Sequence, residues 1–157
     1  MMTTKDSIRK RAVLHAPLER VWSAITDSAQ FGRWFGSEFE GPFVAGESVD
    51  ARMVPTEVDP EGAEQQQQYA GTAWTAHVVT IDPMRTFAFR WNADDQSDVL
   101  TTVTFELEAT DEGTILTITE TGFDAVPAER RSRIIESNTE GWNAQTGFLA
   151  AFLEQNP

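Results

Sequence analysis

Imidazole, carboxylate and amide side chains are the groups in this sequence best able to do chemistry, and few of them stand at informative positions. His15 and His77 are the only histidines. An imidazole titrates near neutrality, so one facing a cavity is a candidate general base. The two fall in different predicted strands, with no second ligand at a metal-binding spacing, so no metal site is expected. In the segment 72–81, His77 shares parity with Ala73, Thr75 and Val79, whereas Trp74, Ala76 and Val78 take the other face. Neither face is plainly polar, which leaves His77 either a weak catalytic candidate or an exposed structural residue.

Among the strand carboxylates Glu120 stands apart. It shares the parity of Leu116 and Ile118, so alternation turns it toward the apolar side. A carboxylate there needs a partner or water, and is a candidate for acid/base work or for orienting a ligand. Arg52, Glu57, Arg90, Glu106 and Glu108 also lie in or beside strands. Alternation sends most of them to solvent: Arg90 opposes Phe87, Phe89 and Trp91, and Glu106 opposes Phe105 and Leu107. Asn138 and Gln145 sit on the apolar stripe of a predicted C-terminal helix, where an amide needs hydrogen-bonding partners from ligand, water or backbone. Trp74, Phe89, Trp91 and Trp142 are candidates for a cavity wall, with plain core packing the equal alternative. The glycines form no phosphate loop and no serine has a nucleophile-elbow context, so no cofactor is expected.

These side chains must be positioned by secondary structure that the pattern outlines. Residues 8–15 read as a first strand. Pro17 opens a helix carrying Val21, Trp22 and Ile25, and Asp27 or Ser28 caps a second short helix through Ala29, Phe31, Trp34 and Phe35. Val49, Ala51 and Met53 alternate as a half-buried strand. The segment DPEGAEQQQQ (59–68) reads as a hairpin loop, with its glutamines reaching into the next strand, 69–81. Thr86–Trp91, then Val99 to Leu107, then a strand with Leu116 and Ile118 complete an antiparallel meander, because the turns between them, including the acidic turn 92–96, are too short for crossovers. Residues 129–154 run without proline, and Ile134, Ile135, Asn138, Trp142, Gln145, Leu149, Phe152 and Leu153 return at helical spacing. That helix is roughly 35–40 Å long. Gly141 and Gly147 weaken it, and a kink or a close backbone approach would rationalise either one.

The composition narrows the classes of function. A chain of 157 residues suits one domain, with an ordered core over about 7–155, and can bury a true core. It has no cysteine, which removes disulfides, thiolate catalysis and Cys-ligated metals. Twelve Lys and Arg against 25 Asp and Glu give a net charge of −13, so phosphate backbones and anionic membranes are poor partners. Arg130, Arg131 and Arg133 cluster, and read as the polar side of a helix. No secretory segment and no membrane-spanning run is visible, so a cytoplasmic location is expected. Five Trp and ten Phe against one Tyr point to a ring-rich interior.

The element order and several motifs resemble the START-like (SRPBCC) helix-grip superfamily. The nearest branch looks like the homologues of the Hsp90 ATPase activator's C-terminal domain. Ala16-Pro17 with Val21-Trp22, Phe31, Trp34-Phe35, Gly71, Asp82-Pro83, Arg85, Phe87–Trp91, Thr101–Phe105, Thr117–Phe123 and Gly141-Trp142 carry the resemblance over nearly the whole chain. It implies an α+β helix-grip fold, a curved antiparallel sheet wrapped around a long C-terminal helix, with two short helices after the first strand. It also implies a cavity between sheet and helix, without a fixed ligand or catalytic set.

The expectation is therefore a domain that binds a small hydrophobic or aromatic molecule beneath the long helix. Trp74, Phe89, Trp91 and Trp142 supply apolar surface, and Glu120, Asn138 or Gln145 fix orientation. Two alternatives stay open. One is an enzyme of the cyclase, dehydratase or hydrolase type using Glu120 or His77. The other is a protein-interaction module with a chaperone as partner. Monomer and homodimer are both compatible with the sequence.

Overall fold

A computed structural model describes residues 7–94 and 98–157. Ser7–Leu14 (β1) is followed by the helices Leu18–Thr26 (α1) and Ser28–Phe35 (α2). Six strands come next: Ser37–Phe39 (β2), Ser48–Met53 (β3), Ala73–Asp82 (β4), Thr86–Asn92 (β5), Leu100–Thr110 (β6) and Gly113–Thr121 (β7). Pro60–Gln66 (α3) interrupts them after β3, and Ala128–Gln155 (α4) closes the chain. The strands form one antiparallel sheet in the order β1-β7-β6-β5-β4-β3-β2. This is the α+β helix-grip architecture the sequence implies. Part of the 92–96 turn lies outside the described residues.

The register decides which side chains face the helix. Ile8, Glu120, Val103, Phe89 and Val78 stand side by side across five strands, and all five are buried. The next row, Ser7, Thr121, Thr102, Arg90, His77 and Ser48, therefore lies on the opposite, outer face. Against the inner face α4 packs Ile134, Trp142, Leu149, Phe152 and Leu153. Its far end rests on α1 and α2. The guanidinium groups of Arg20 and Arg33 lie 5.2 and 5.1 Å from the Phe152 ring centroid, and Arg20 Nε donates to Asn156 O at 2.9 Å.

Local chemistry sets the short elements. Asp27 caps α2, its Oδ1 accepting from Ala29 N at 3.0 Å and Gln30 N at 3.4 Å. The helix stops at Gly36, whose φ of +96° is left-handed. The 59–68 segment corrects the sequence reading, because it is helical and not a hairpin loop. Asp59 is its N-cap, accepting from Gly62 N at 2.8 Å, with Pro60 at the position where a missing N–H costs nothing. The strand after it begins only at Ala73, and the three-residue strand β2 was not foreseen. The arginine cluster is spent locally. Arg131 donates to the carbonyls of Asp124 and Val126, Arg130 meets Asp94 at 3.7 Å, and Arg133 is exposed.

No close backbone approach calls for Gly141 or Gly147: a Cβ added at either would meet nothing within 4 Å. Gly62 is the reverse case, since its added Cβ would stand 2.5 Å from the Phe148 ring, where α3 packs on α4. Replacing Gly147 by Ala should stabilise the fold by about 1 kcal/mol, raising Tm by roughly 2–4 °C. Gly62→Ala should lower Tm instead. Thermal melts followed by circular dichroism check both signs.

Candidate functional site

The inner face carries a continuous layer of aromatic rings. Phe31, on α2, lies within 6.3 Å of Trp34, Phe35, Phe39, Phe43, Phe89 and Phe105 by ring centroid. Trp74 approaches Trp91 at 5.5 Å, and Trp91 stacks on Trp142 at 5.6 Å with 26° between planes. The rings do not fill all the space between the sheet and α4. A cavity of about 560 Å³ remains at the β3–β5 side.

Its walls come from separate elements. Phe35 and Gly36 end α2, Met53 and Val54 end β3, and Trp74 and Trp91 stand on β4 and β5. Gln66 and Tyr69 approach from α3 and the turn after it, and Asn138 and Gln145 from α4. The run Asn92–Asp94 completes the rim. Tyr69, Thr72 and Ala73 are exposed lining residues, so the space opens to solvent on that side.

Behind this lining lies Glu120, fully buried. Its Oε2 accepts from Thr101 Oγ1 at 2.7 Å and Trp91 Nε1 at 3.0 Å; its Oε1 accepts from Trp142 Nε1 at 2.9 Å. Asn138 Nδ2 bridges both oxygens at 3.2 and 3.4 Å, and also reaches Ala93 O at 3.4 Å. Indole and amide N–H groups can only donate, so both carboxyl oxygens act as acceptors here. The parity argument for Glu120 gave its side of the sheet correctly. Its depth differs from the expectation, since Trp91 and Asn138 stand between it and the cavity.

The seven residues proposed as ligand contacts thus divide into two layers. Trp74, Trp91, Asn138 and Gln145 line the cavity. Phe89, Trp142 and Glu120 are buried behind them. His77 belongs to neither layer. It lies on the outer face, with Nδ1 2.7 Å from Ser48 Oγ, and cannot meet Glu120 or the cavity across the sheet. His15 is exposed. Among the described residues no group of three His, Asp or Glu side chains is placed to hold a metal, and no helix is long and apolar enough to cross a membrane.

Two amides organise the helix side of the cavity. Gln66 Oε1 accepts from Thr56 N at 2.7 Å, which turns its Nε2 toward Phe35 O at 3.3 Å. Gln145 Nε2 donates to the same carbonyl at 3.0 Å. Both lone pairs of Phe35 O are thereby occupied, and the orientation of Gln145 is fixed with its Oε1 away from that carbonyl. Gln145 Oε1 is buried and has no partner among the described protein atoms. An acceptor held in that state costs about 1–3 kcal/mol. Phe35 and Gln66 were missed as site residues. Asp59-Pro60, a capping residue followed by a first-turn proline, was the signal that would have put Gln66 on a helix.

A curved antiparallel sheet gripping a C-terminal helix, with an aromatic-walled cavity between them, defines the class as a helix-grip α+β protein. Within it, residues 15–154 match the family model described as Activator of Hsp90 ATPase homolog 1-like protein, and the chain belongs to that family. Solved structures share the fold. DynU16, from the dynemicin biosynthetic locus, superposes with a TM-score of 0.71 at 23% identity, covering 96% of this chain and 48% of that one. MLL2253 from Mesorhizobium loti gives 0.72 at 19% identity, with 96% and 98% covered. CV1439 from Chromobacterium violaceum gives 0.72 at 21%, with 95% and 97% covered. This chain therefore spans about half the length of DynU16. No curated protein matches it in sequence.

Replacing Glu120 by Gln puts an NH₂ against at least one indole N–H whichever way the amide turns. Glu120→Gln should cost about 2–4 kcal/mol and lower Tm by roughly 5–15 °C. A melt within a degree or two of the parent would show that these bonds carry little.

Proposed function

We propose that this protein binds a small hydrophobic or aromatic molecule in the cavity between its sheet and α4. The observation that carries the reading is a space of about 560 Å³ walled by Phe35, Trp74 and Trp91 with amides at one side. Ligand cavities commonly hold about 300–1,000 Å³, with mostly apolar walls and a few placed polar groups. Each part has a role in binding. Trp74 and Trp91 supply flat apolar surface, and their indole N–H groups are turned to Ser37 Oγ at 3.0 Å and to Glu120. Both rings are thus held in one orientation before a ligand arrives, which reduces the entropy lost on binding. Asn138 and Gln145 set the ligand's orientation. Glu120 is a positioning residue: it fixes Trp91 and Asn138 and touches no ligand. Membership of a family with shared framework, and a structural neighbour from a biosynthetic locus, agree with the handling of small molecules.

The enzymatic alternative loses support from this geometry, because its two candidates lie outside the cavity: Glu120 behind the lining and His77 on the outer face. The chaperone-partner alternative draws on the family description alone.

Native mass spectrometry and tryptophan emission test the reading together. An aromatic probe should quench the emission of Trp74 and Trp91 and add its mass in one-to-one ratio. Trp74→Ala should weaken that binding about tenfold, the loss of one desolvated aromatic contact. Parent and variant binding with equal affinity, or saturation with several probes per chain, would overturn the assignment.

A further inference from the structure

The hydrogen-bonding character of the cavity points to the charge of its ligand, an inference that rests on the cavity being the binding site. The donors of the lining are largely committed. The indole N–H of Trp74 goes to Ser37 and that of Trp91 to Glu120. Asn138 Nδ2 is shared between Glu120 and Ala93 O, and Gln145 Nε2 is on Phe35 O. Gln66 Oε1 is taken by Thr56 N, but two amide oxygens of the lining are left over. Gln145 Oε1 is unpaired. With Nδ2 fixed on three oxygens, Asn138 presents Oδ1 as its remaining end.

Charge points the same way. No Lys, Arg or His is among the described lining residues, whereas Asp94 is. Arg130 stands at the rim, 3.7 Å from Asp94, where it offsets that negative charge. Behind Trp91 stands the buried Glu120 carboxylate, its hydrogen bond from Nε1 drawing positive character out of the indole and leaving the ring richer in π density. Trp and Phe rings attract cations through that density, most strongly where water is excluded. The whole chain carries a net −13.

We infer that the ligand is a protonated amine on an apolar or aromatic body, whose N–H groups meet the free amide oxygens and whose charge rests against the indoles. A carboxylate or phosphate of equal size would find no cation among the described lining residues, and only the Tyr69 and Thr72 hydroxyls at the open side as uncommitted side-chain hydroxyl donors.

A matched set of probes with one phenyl body tests this: 2-phenylethylamine, 2-phenylethanol, ethylbenzene and 3-phenylpropionate, titrated against the intact chain by calorimetry and tryptophan emission. The amine should bind about tenfold tighter than the alcohol. It should bind tighter still relative to the carboxylate, and weaken as sodium chloride rises from about 20 to about 500 mM. Gln145→Met, checked for a native melt, should shrink the preference for amine over ethylbenzene. If that variant fails to fold, the probe series on the parent decides alone. Equal or tighter binding of the carboxylate, or of the alcohol, would overturn the charge assignment while leaving the cavity reading in place. Binding of none of the four would overturn the cavity reading itself.

Discussion

The Glu120 carboxylate gathers N–H and O–H donors from Trp91 on β5, Thr101 on β6, and Asn138 and Trp142 on α4. A carboxylate out of contact with water is tolerated only when its oxygens are saturated, because desolvation costs several kcal/mol. The carboxylate therefore imposes geometry on everything that serves it. Apolar packing between a ring-covered sheet and a helix is non-directional and tolerates sliding. Hydrogen bonds to one small group do not. They fix the height of α4 along the sheet, the rotamer of Trp91 and the direction of the Asn138 amide. The cavity depends on the same constraint, since Trp91 and Asn138 form part of its wall.

A second consequence is a division of labour by depth. The innermost residues, Glu120, Trp142 and Phe89, have no exposure to spare and act only on their neighbours. The layer in front of them is half-buried and has ring surface and amide oxygens left over. Phe35 belongs to both the α2 helix and this front layer. Its carbonyl, stranded at the helix end where no intrahelical donor remains, is taken by two glutamines from α3 and α4. The unsatisfied end of one helix thus joins three helices at the edge of the cavity.

Much of this was legible in the sequence, because period-2 and period-3.6 patterns report which side a residue faces. Glu120 shares the parity of Leu116 and Ile118, Thr101 that of Val103 and Phe105, and Trp91 that of Phe87 and Phe89. The helical period sets Asn138 and Trp142 on the same stripe. Parity gives direction but not depth, so it placed Glu120 in the cavity when it lies behind it. His77 was ambiguous for a related reason: both faces of its segment hold small apolar residues, and only pairing with Ser48 and Arg90 resolves them. The glutamine run hid α3, since its local polarity outweighed the Asp59-Pro60 capping signal. Gln66 and its tie to Thr56 then depended on a long-range contact that no local pattern encodes.

The sheet order has a bearing on how the chain reaches this state. β1 and β2 occupy opposite edges although α1 and α2 alone separate them in sequence, and Ser7 pairs with Thr121. In this sheet β1 has no partner until β7 has been made. Loop closure over such a distance is entropically slow to win, and folds dominated by distant pairings assemble slowly. Meanwhile the β1 segment carries Arg9, Lys10 and Arg11, an unusual density of positive charge for this acidic chain. Like charges on a waiting strand discourage it from pairing with a copy of itself. Arg9 and Arg11, exposed on the finished sheet, and the half-buried Lys10 thus set like charge against like wherever two unpaired copies of the segment meet.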